Sequence, residues 1–293
     1  MPDLPDIDSL WNYPDPRGSE ATFRQLLDGV GSSAPADYVG QVLSQIARAQ
    51  TLQKEYARAQ ATLDEAAASG ADMPVARIRI PLERGRIWND TEEFGKAREC
   101  FSEAVRLALE AGHAPLAADA FHMLGVLPPA EEAVEWNRRG IEFARSSDNP
   151  NVRRWLGTFG LNMGLKHQDL RQFAEAERAF AEAIAEYERI GNVARVRLCR
   201  LCLGKNLRLQ ERYEAALVLD RELLAEIDGS DGPLGYTCEE IAECLLALGR
   251  GDEARPFFER AYAILSVNPW FPPPQRGRLV RMRQLAVGTS TDD

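Results

Sequence analysis

A short pattern, an aromatic residue followed three positions later by alanine, returns along this chain as Tyr56/Ala59, Phe94/Ala97, Phe173/Ala176 and Tyr213/Ala216. Ala133 and Ala254 keep the alanine place where the aromatic is missing. Successive alanines lie 38, 36, 43, 40 and 38 residues apart, so six units share one period. A period of this length marks one supersecondary unit stacked on copies of itself, because a lone unit cannot bury its apolar face. Around each anchor the hydrophobic spacing predicts a helix of about fifteen residues, a short polar turn and a second helix starting near the anchor. Breakers cluster between units, at 69–74, 112–115, 148–150, 191–192 and 229–233.

Within the units, a small residue in the first helix precedes the aromatic that opens the second. Leu203, Gly204 and Leu207 are followed by Tyr213, Ala216 and Leu223. Gly85 and Trp88 are followed by Phe94, Ala97, Phe101 and Ala104, and Gly164 by Phe173, Ala176, Phe180 and Ala183. Ala47 and Ala242 take the small-residue place in the first and last units, while Pro128 and Pro129 shorten the turn of the third and put Trp136 out of register. This resembles the tetratricopeptide repeat, with a longer period, and is similar to bacterial tetratricopeptide proteins as a group. The resemblance implies an all-α, right-handed superhelical solenoid of about six antiparallel hairpins with a C-terminal capping helix. The expected division is a proline-containing segment over 1–35, with Trp11 and Tyr13 as anchors and a short helix at 21–29; the array over 36–267; and a capping helix at 275–287 with a frayed tail within 268–293.

Composition narrows the function. With 35 basic and 45 acidic residues the net charge is −10, which opposes generic attraction to nucleic acid or anionic lipid. The proline-rich start lacks the basic opening and apolar run of a secretory signal, and no stretch approaches the ~20 apolar residues of a membrane span. Five cysteines without an export signal suit reduced thiols, so a cytoplasmic protein is expected.

Catalytic and cofactor chemistry finds little support. Cys199, Cys202, Cys238 and Cys244 lie in apolar stretches of first helices, where cysteine acts as a small hydrophobe, and they lack the turns of a zinc knuckle. His113, His122 and His167 are scattered, without the spacing of a metalloprotease helix. The run from Gly29 to Ala34 matches a loose dinucleotide fingerprint but follows a helical stretch and precedes Pro35, and Gly204-Lys205 lacks the upstream glycine of a phosphate loop. Arg276, Arg278, Arg281 and Arg283 form a cationic cluster that reads as a solvated capping helix. No cofactor, no metal and no enzymatic activity are expected.

In tetratricopeptide arrays the first helices line the concave side, so the resemblance places a ligand there. Helical spacing from the small residue marks Gln45 and Arg48 beside Gln41, then Arg79, Arg86 and Asn89 beside Glu83, then Asn162, then Lys205 and Arg208, and finally Glu239 and Glu243 beside Glu240. Earlier units offer guanidinium and amide donors and the last offers carboxylates. The matching ligand is acidic toward the N-terminal end and basic toward the other. No first helix has the Lys-x-x-x-Asn clamp of chaperone-binding members. The expected role is a non-catalytic scaffold for a protein or peptide partner, with neither nucleic acid nor membrane involved and nothing indicating a homo-oligomer. The alternative is a sensor whose groove takes a short signalling peptide or small molecule, although residues 1–35 are too short for the N-terminal output domain such regulators carry.

Overall fold

The computed structural model describes residues 4–31, 34–70, 72–227, 233–268, 271–272 and 275–287. The described residues are helical, without a strand, and fall into two compact units, 1–155 and 156–293. The first holds a 3-10 turn (Ile7–Leu10), α1 (Pro16–Val30), α2 (Ala36–Leu52), α3 (Tyr56–Ala68), α4 (Ala76–Asp90), α5 (Phe94–Glu110), α6 (Ala114–Leu124), α7 (Ala130–Arg145) and the single turn α8 (Pro150–Arg153). The second holds α9 (Leu156–Asp169), α10 (Phe173–Arg189), α11 (Val193–Leu209), α12 (Tyr213–Glu226), α13 (Leu234–Ala247), α14 (Gly251–Leu265) and α15 (Arg276–Val287). Within each unit, successive helices pack on one another. First helices also meet one another, α2 with α4 and α4 with α6 in the first unit, and α9 with α11 and α11 with α13 in the second. The breakers expected at 229–232, the prolines at 269, 273 and 274, Ser32 and Ser33 of the glycine-rich run, and the tail 288–293 lie outside the described residues.

The small residue and the second helix meet in a fixed register. A Cβ built on Gly85 would stand 2.4 Å from the ring of Phe101, and one on Gly164 would stand 2.5 Å from the ring of Phe180. Glycine is therefore required where the aromatic knob seats itself in the first helix. Ala47/Leu63 and Ala242/Phe258 have the same sixteen-residue spacing, and all four of these side chains are fully buried. The third hairpin follows its own rule. Gly125 faces Asn137, twelve residues on, whose Nδ2 donates to the carbonyls of Gly125 (2.7 Å) and Ala133 (2.8 Å), and the Pro128-Pro129 peptide is cis.

The hairpin turns also repeat. Lys54, Glu92, Arg171, Glu211 and Gly249 each have φ between 57° and 74° two residues before the second helix begins. Each turn is closed by an amide reaching five residues back, such as Glu93 to Trp88 at 2.8 Å and Arg212 to Leu207 at 3.0 Å. This is the left-handed end of a helix, where any side chain but glycine costs about 1 kcal/mol. Glu92→Gly and Glu211→Gly should each raise stability by roughly 0.5–1 kcal/mol, and Gly249→Ala should lower it by a similar amount, read from urea unfolding midpoints.

One sequence expectation is corrected. The N-terminal helix spans Pro16–Val30 rather than beginning at residue 21, because the Asp15 carboxylate accepts from the Gly18 amide at 3.0 Å and Pro16 opens the first turn.

Candidate functional site

In the first unit the expected donors gather on the shared face of α2, α4 and α6. Arg86, on α4 one residue beyond the glycine that seats Phe101, is 8% exposed. Its Nη2 donates to both carboxylate oxygens of Asp119 on α6 at 2.7 Å, and its Nη1 donates to Glu83 at 2.7 Å. Arg48 on α2 lies 3.8 Å from the other Glu83 oxygen. Burial lowers the Arg48 pKa, and the like charge of Arg86 lowers it further. For Asp119, burial acts to raise the pKa, but the Arg86 guanidinium outweighs it and holds the carboxyl below its usual range.

The chain's own N-terminal segment lies on this face. Ile7 is buried among Phe23, Val42, Leu43 and Ile46. Both oxygens of Asp8 accept from Arg79 Nη2 at 2.9 Å. The Trp11 indole N–H donates to Gln45 Oε1 at 2.9 Å, the ring meets Phe23 edge-on at 5.2 Å, and Tyr13 stacks on it at 4.7 Å. Partial burial raises the Tyr13 phenol above its ordinary pKa, and the charges of Arg48, Arg86, Glu83 and Asp119 all act on it. Asn89 is partly buried at the end of α4.

In the second unit the expected acids meet the C-terminal helix. Glu239 on α13 accepts from Arg278 Nη2 at 2.6 Å and also from its Nε, and Glu243 accepts from both terminal nitrogens of Arg281. Met282 is fully buried in the core that α13 and α14 share with α15. Arg208 on α11 pairs with Glu240, with Nε at 2.6 Å. Lys205 is exposed one turn away, and Asn162 is partly buried on α9. Burial raises the Glu239 pKa even against Arg278.

A further buried acid was missed by the sequence reading. Asp220 on α12 stands sixteen residues after Gly204, in the place that Phe101 and Phe180 take in their hairpins, and a Cβ on Gly204 would meet its Oδ1 at 2.1 Å. It is fully buried with neither oxygen hydrogen-bonded, and burial pushes its pKa up to about 8.

Cys199, Cys238 and Cys244 are buried, and burial pushes the thiols of Cys199 and Cys244 up to about 12. His113 caps α6, accepting from the Leu116 amide, and His167 pairs with Gln172 at 2.7 Å. Among the described residues no group of histidine, cysteine and acidic side chains could hold a metal ion, and no helix is long and apolar enough to cross a membrane.

No family model and no curated sequence matches the chain. Solved structures do. A STAND signal-transduction ATPase with a tetratricopeptide repeat sensor, from Pyrococcus horikoshii, aligns at TM-score 0.72 and 13% identity over 92% of this chain, which spans 42% of that protein's length. NprR in complex with its cognate peptide NprX aligns at TM-score 0.57 and 13% identity, over 98% of this chain and 84% of NprR. A tetratricopeptide repeat protein from Parabacteroides merdae aligns at TM-score 0.58 and 13% identity, over 96% and 97% of the two chains. The sixteen-residue register and the shared turn of the hairpins, together with these alignments, show that the chain has the all-α fold of tetratricopeptide-repeat proteins.

Proposed function

We propose that this protein is a non-catalytic binding scaffold whose first-helix faces take segments of a protein or peptide partner. The observation that carries this reading is that the faces are already engaged in the expected sense of charge. An acidic, aromatic segment sits on the arginine-bearing face of the first unit, and an arginine-bearing helix sits on the acidic face of the second. Such surfaces select by charge complementarity and by hydrogen bonds to buried groups. NprR, which shares the fold, is solved with a peptide bound. The sensor alternative differs only in the response to binding, and no observation favours it over the scaffold.

The reading is tested by affinity capture from the native host with the tagged full chain, followed by mass spectrometry, using wild type and an Arg48→Glu/Lys205→Glu variant. Both substituted side chains lie outside the tight ion pairs. A partner held by wild type and lost by the variant is expected. Identical captures, or none, would count against a binding role for these faces.

A further inference from the structure

The N-terminal segment leaves the surface beneath it incompletely satisfied. Arg79 is 9% exposed, yet Asp8 engages only its Nη2, and Nε has no hydrogen-bond partner. Next to it on α4, Glu83 (4% exposed) has one oxygen without a hydrogen bond, and Arg86 Nε is likewise unpartnered. A buried guanidinium is best matched by a carboxylate lying side-on across two of its nitrogens, which Asp8 does not provide. The occupant's charged contact with the face is open to water. The Asp8 side chain is 63% exposed, and an ion pair so open to water contributes about 0–1 kcal/mol. Tyr13 is exposed, stacked on Trp11 and within reach of the charges of Arg48, Arg86 and Glu83. The face thus has buried polar atoms without hydrogen bonds beside a segment that is anchored by Ile7 and by the Trp11–Gln45 bond and whose Asp8 and Tyr13 side chains are exposed.

From this we infer that the face formed by Gln45, Arg79, Glu83 and Arg86 is a recognition site for a partner-protein segment carrying a carboxylate three residues ahead of a tryptophan, and that residues 7–13 occupy it until such a segment displaces them. The spacing is read from the occupant: Asp8 reaches Arg79 while the Trp11 indole reaches Gln45. A partner free to place its carboxylate across Nε and Nη2 of Arg79 gains a hydrogen bond that Asp8 lacks. While the arm is in place, the affinity measured for any competitor falls in proportion to the fraction of chains with the arm open. This inference rests on the binding-scaffold reading and adds the class of ligand and its competitor.

The test uses a fluorescein-labelled peptide with the sequence of residues 4–13, LPDIDSLWNY, titrated by fluorescence anisotropy with full-length wild type and a full-length Asp8→Ala/Trp11→Ala chain whose circular dichroism matches wild type. Removing the intramolecular competitor should tighten peptide binding by at least roughly tenfold. Adding Arg79→Glu to the variant should cancel that gain, and a peptide carrying Asp8→Arg should restore it. If Arg79→Glu disturbs the helical signal, Gln45→Leu replaces it, with a loss of several-fold expected from removing the indole acceptor alone. Equal binding to both chains, no binding to the folded double variant, or indifference to Arg79 and Gln45 would overturn the inference. So would a wild-type dimer that disappears in the double variant, since that would identify a second copy of the chain as the source of the segment. A host partner lost in Arg48→Glu/Lys205→Glu, combined with a peptide that ignores the double variant, would sink this inference alone. Failure of both experiments would remove the reading beneath it.

Discussion

Asp220→Asn is expected to stabilise the protein by on the order of 4 kcal/mol at pH 7 and by little at pH 4, from the pKa shift of the buried carboxyl. In the folded chain burial lifts that carboxyl from the ordinary aspartate value of 3.8 to about 8; the neighbouring charge of Glu240 adds to the shift and Arg208 opposes it. Cys244, on α13 as Glu240 is, also faces this group. Because the folded pKa is raised, the native state holds the proton more tightly than the unfolded chain does. The favourable contribution is complete below the ordinary value and is lost as pH climbs toward the folded one. Each pH unit across that window costs about 1.36 kcal/mol, and pH 7 lies roughly three units into it. Asparagine keeps the shape of the neutral acid and does not titrate. The measurement is urea unfolding of both chains at several values between pH 4 and pH 8. The difference in stability should widen with pH, and a constant difference would show that Asp220 is ionised or solvated in the fold.

Arg86→Ala carries the next largest effect, a loss of about 3–5 kcal/mol, because it leaves the carboxylates of Glu83 and Asp119 without their principal donor in a buried setting. Arg48, 3.8 Å from Glu83, is too distant to replace it. Removing the acids as well, in Arg86→Met/Glu83→Gln/Asp119→Leu, should recover most of the loss, since a buried ion pair exchanged for apolar groups of similar size is close to neutral. Arg86→Lys should recover only part, because an ammonium cannot bridge both acids in one plane. Asp119 adds a pH signature of opposite sign to that of Asp220. Its folded pKa is depressed, so its contribution is present above the ordinary value and fades as pH falls through the folded value. Thermal unfolding of the single and triple variants at pH 7 checks the stability order.

The hairpins were legible because their determinants are local. Gly85 and Gly164 announce a close approach, Phe101 and Phe180 fill it, and the alanines at the anchors repeat with the period. Helical spacing from Gly85 and from Ala242 likewise sets the side of the helix on which Arg79, Arg86 and Glu239 stand. The occupants of those faces were not. Asp8 reaches Arg79 across 71 residues and Arg278 reaches Glu239 across 39, and nothing in the local pattern of either segment names its partner. The arginines of α15 read as solvated cap residues, yet two of them close on the carboxylates expected to await a ligand. Asp220 was hidden by its type. An aspartate inside a helix is ordinarily a surface residue, and only the sixteen-residue register, seen once the aromatic knobs are in place, identifies it as a core position. The Asp15-Pro16 start of α1 was a local signal that the proline content of the segment masked.

The first-helix face of the first unit is, in the proposed reading, a binding surface held by the chain's own N-terminus. Hydrogen exchange of the full-length protein, with and without excess heavy-isotope-labelled LPDIDSLWNY, tests this most directly. Exchange at the amides of residues 7–13 of the protein should accelerate when the peptide is present, while those of α4 stay protected. An N-terminal segment whose exchange is unchanged at saturating peptide would show it to be a fixed part of the fold, and would contradict that reading.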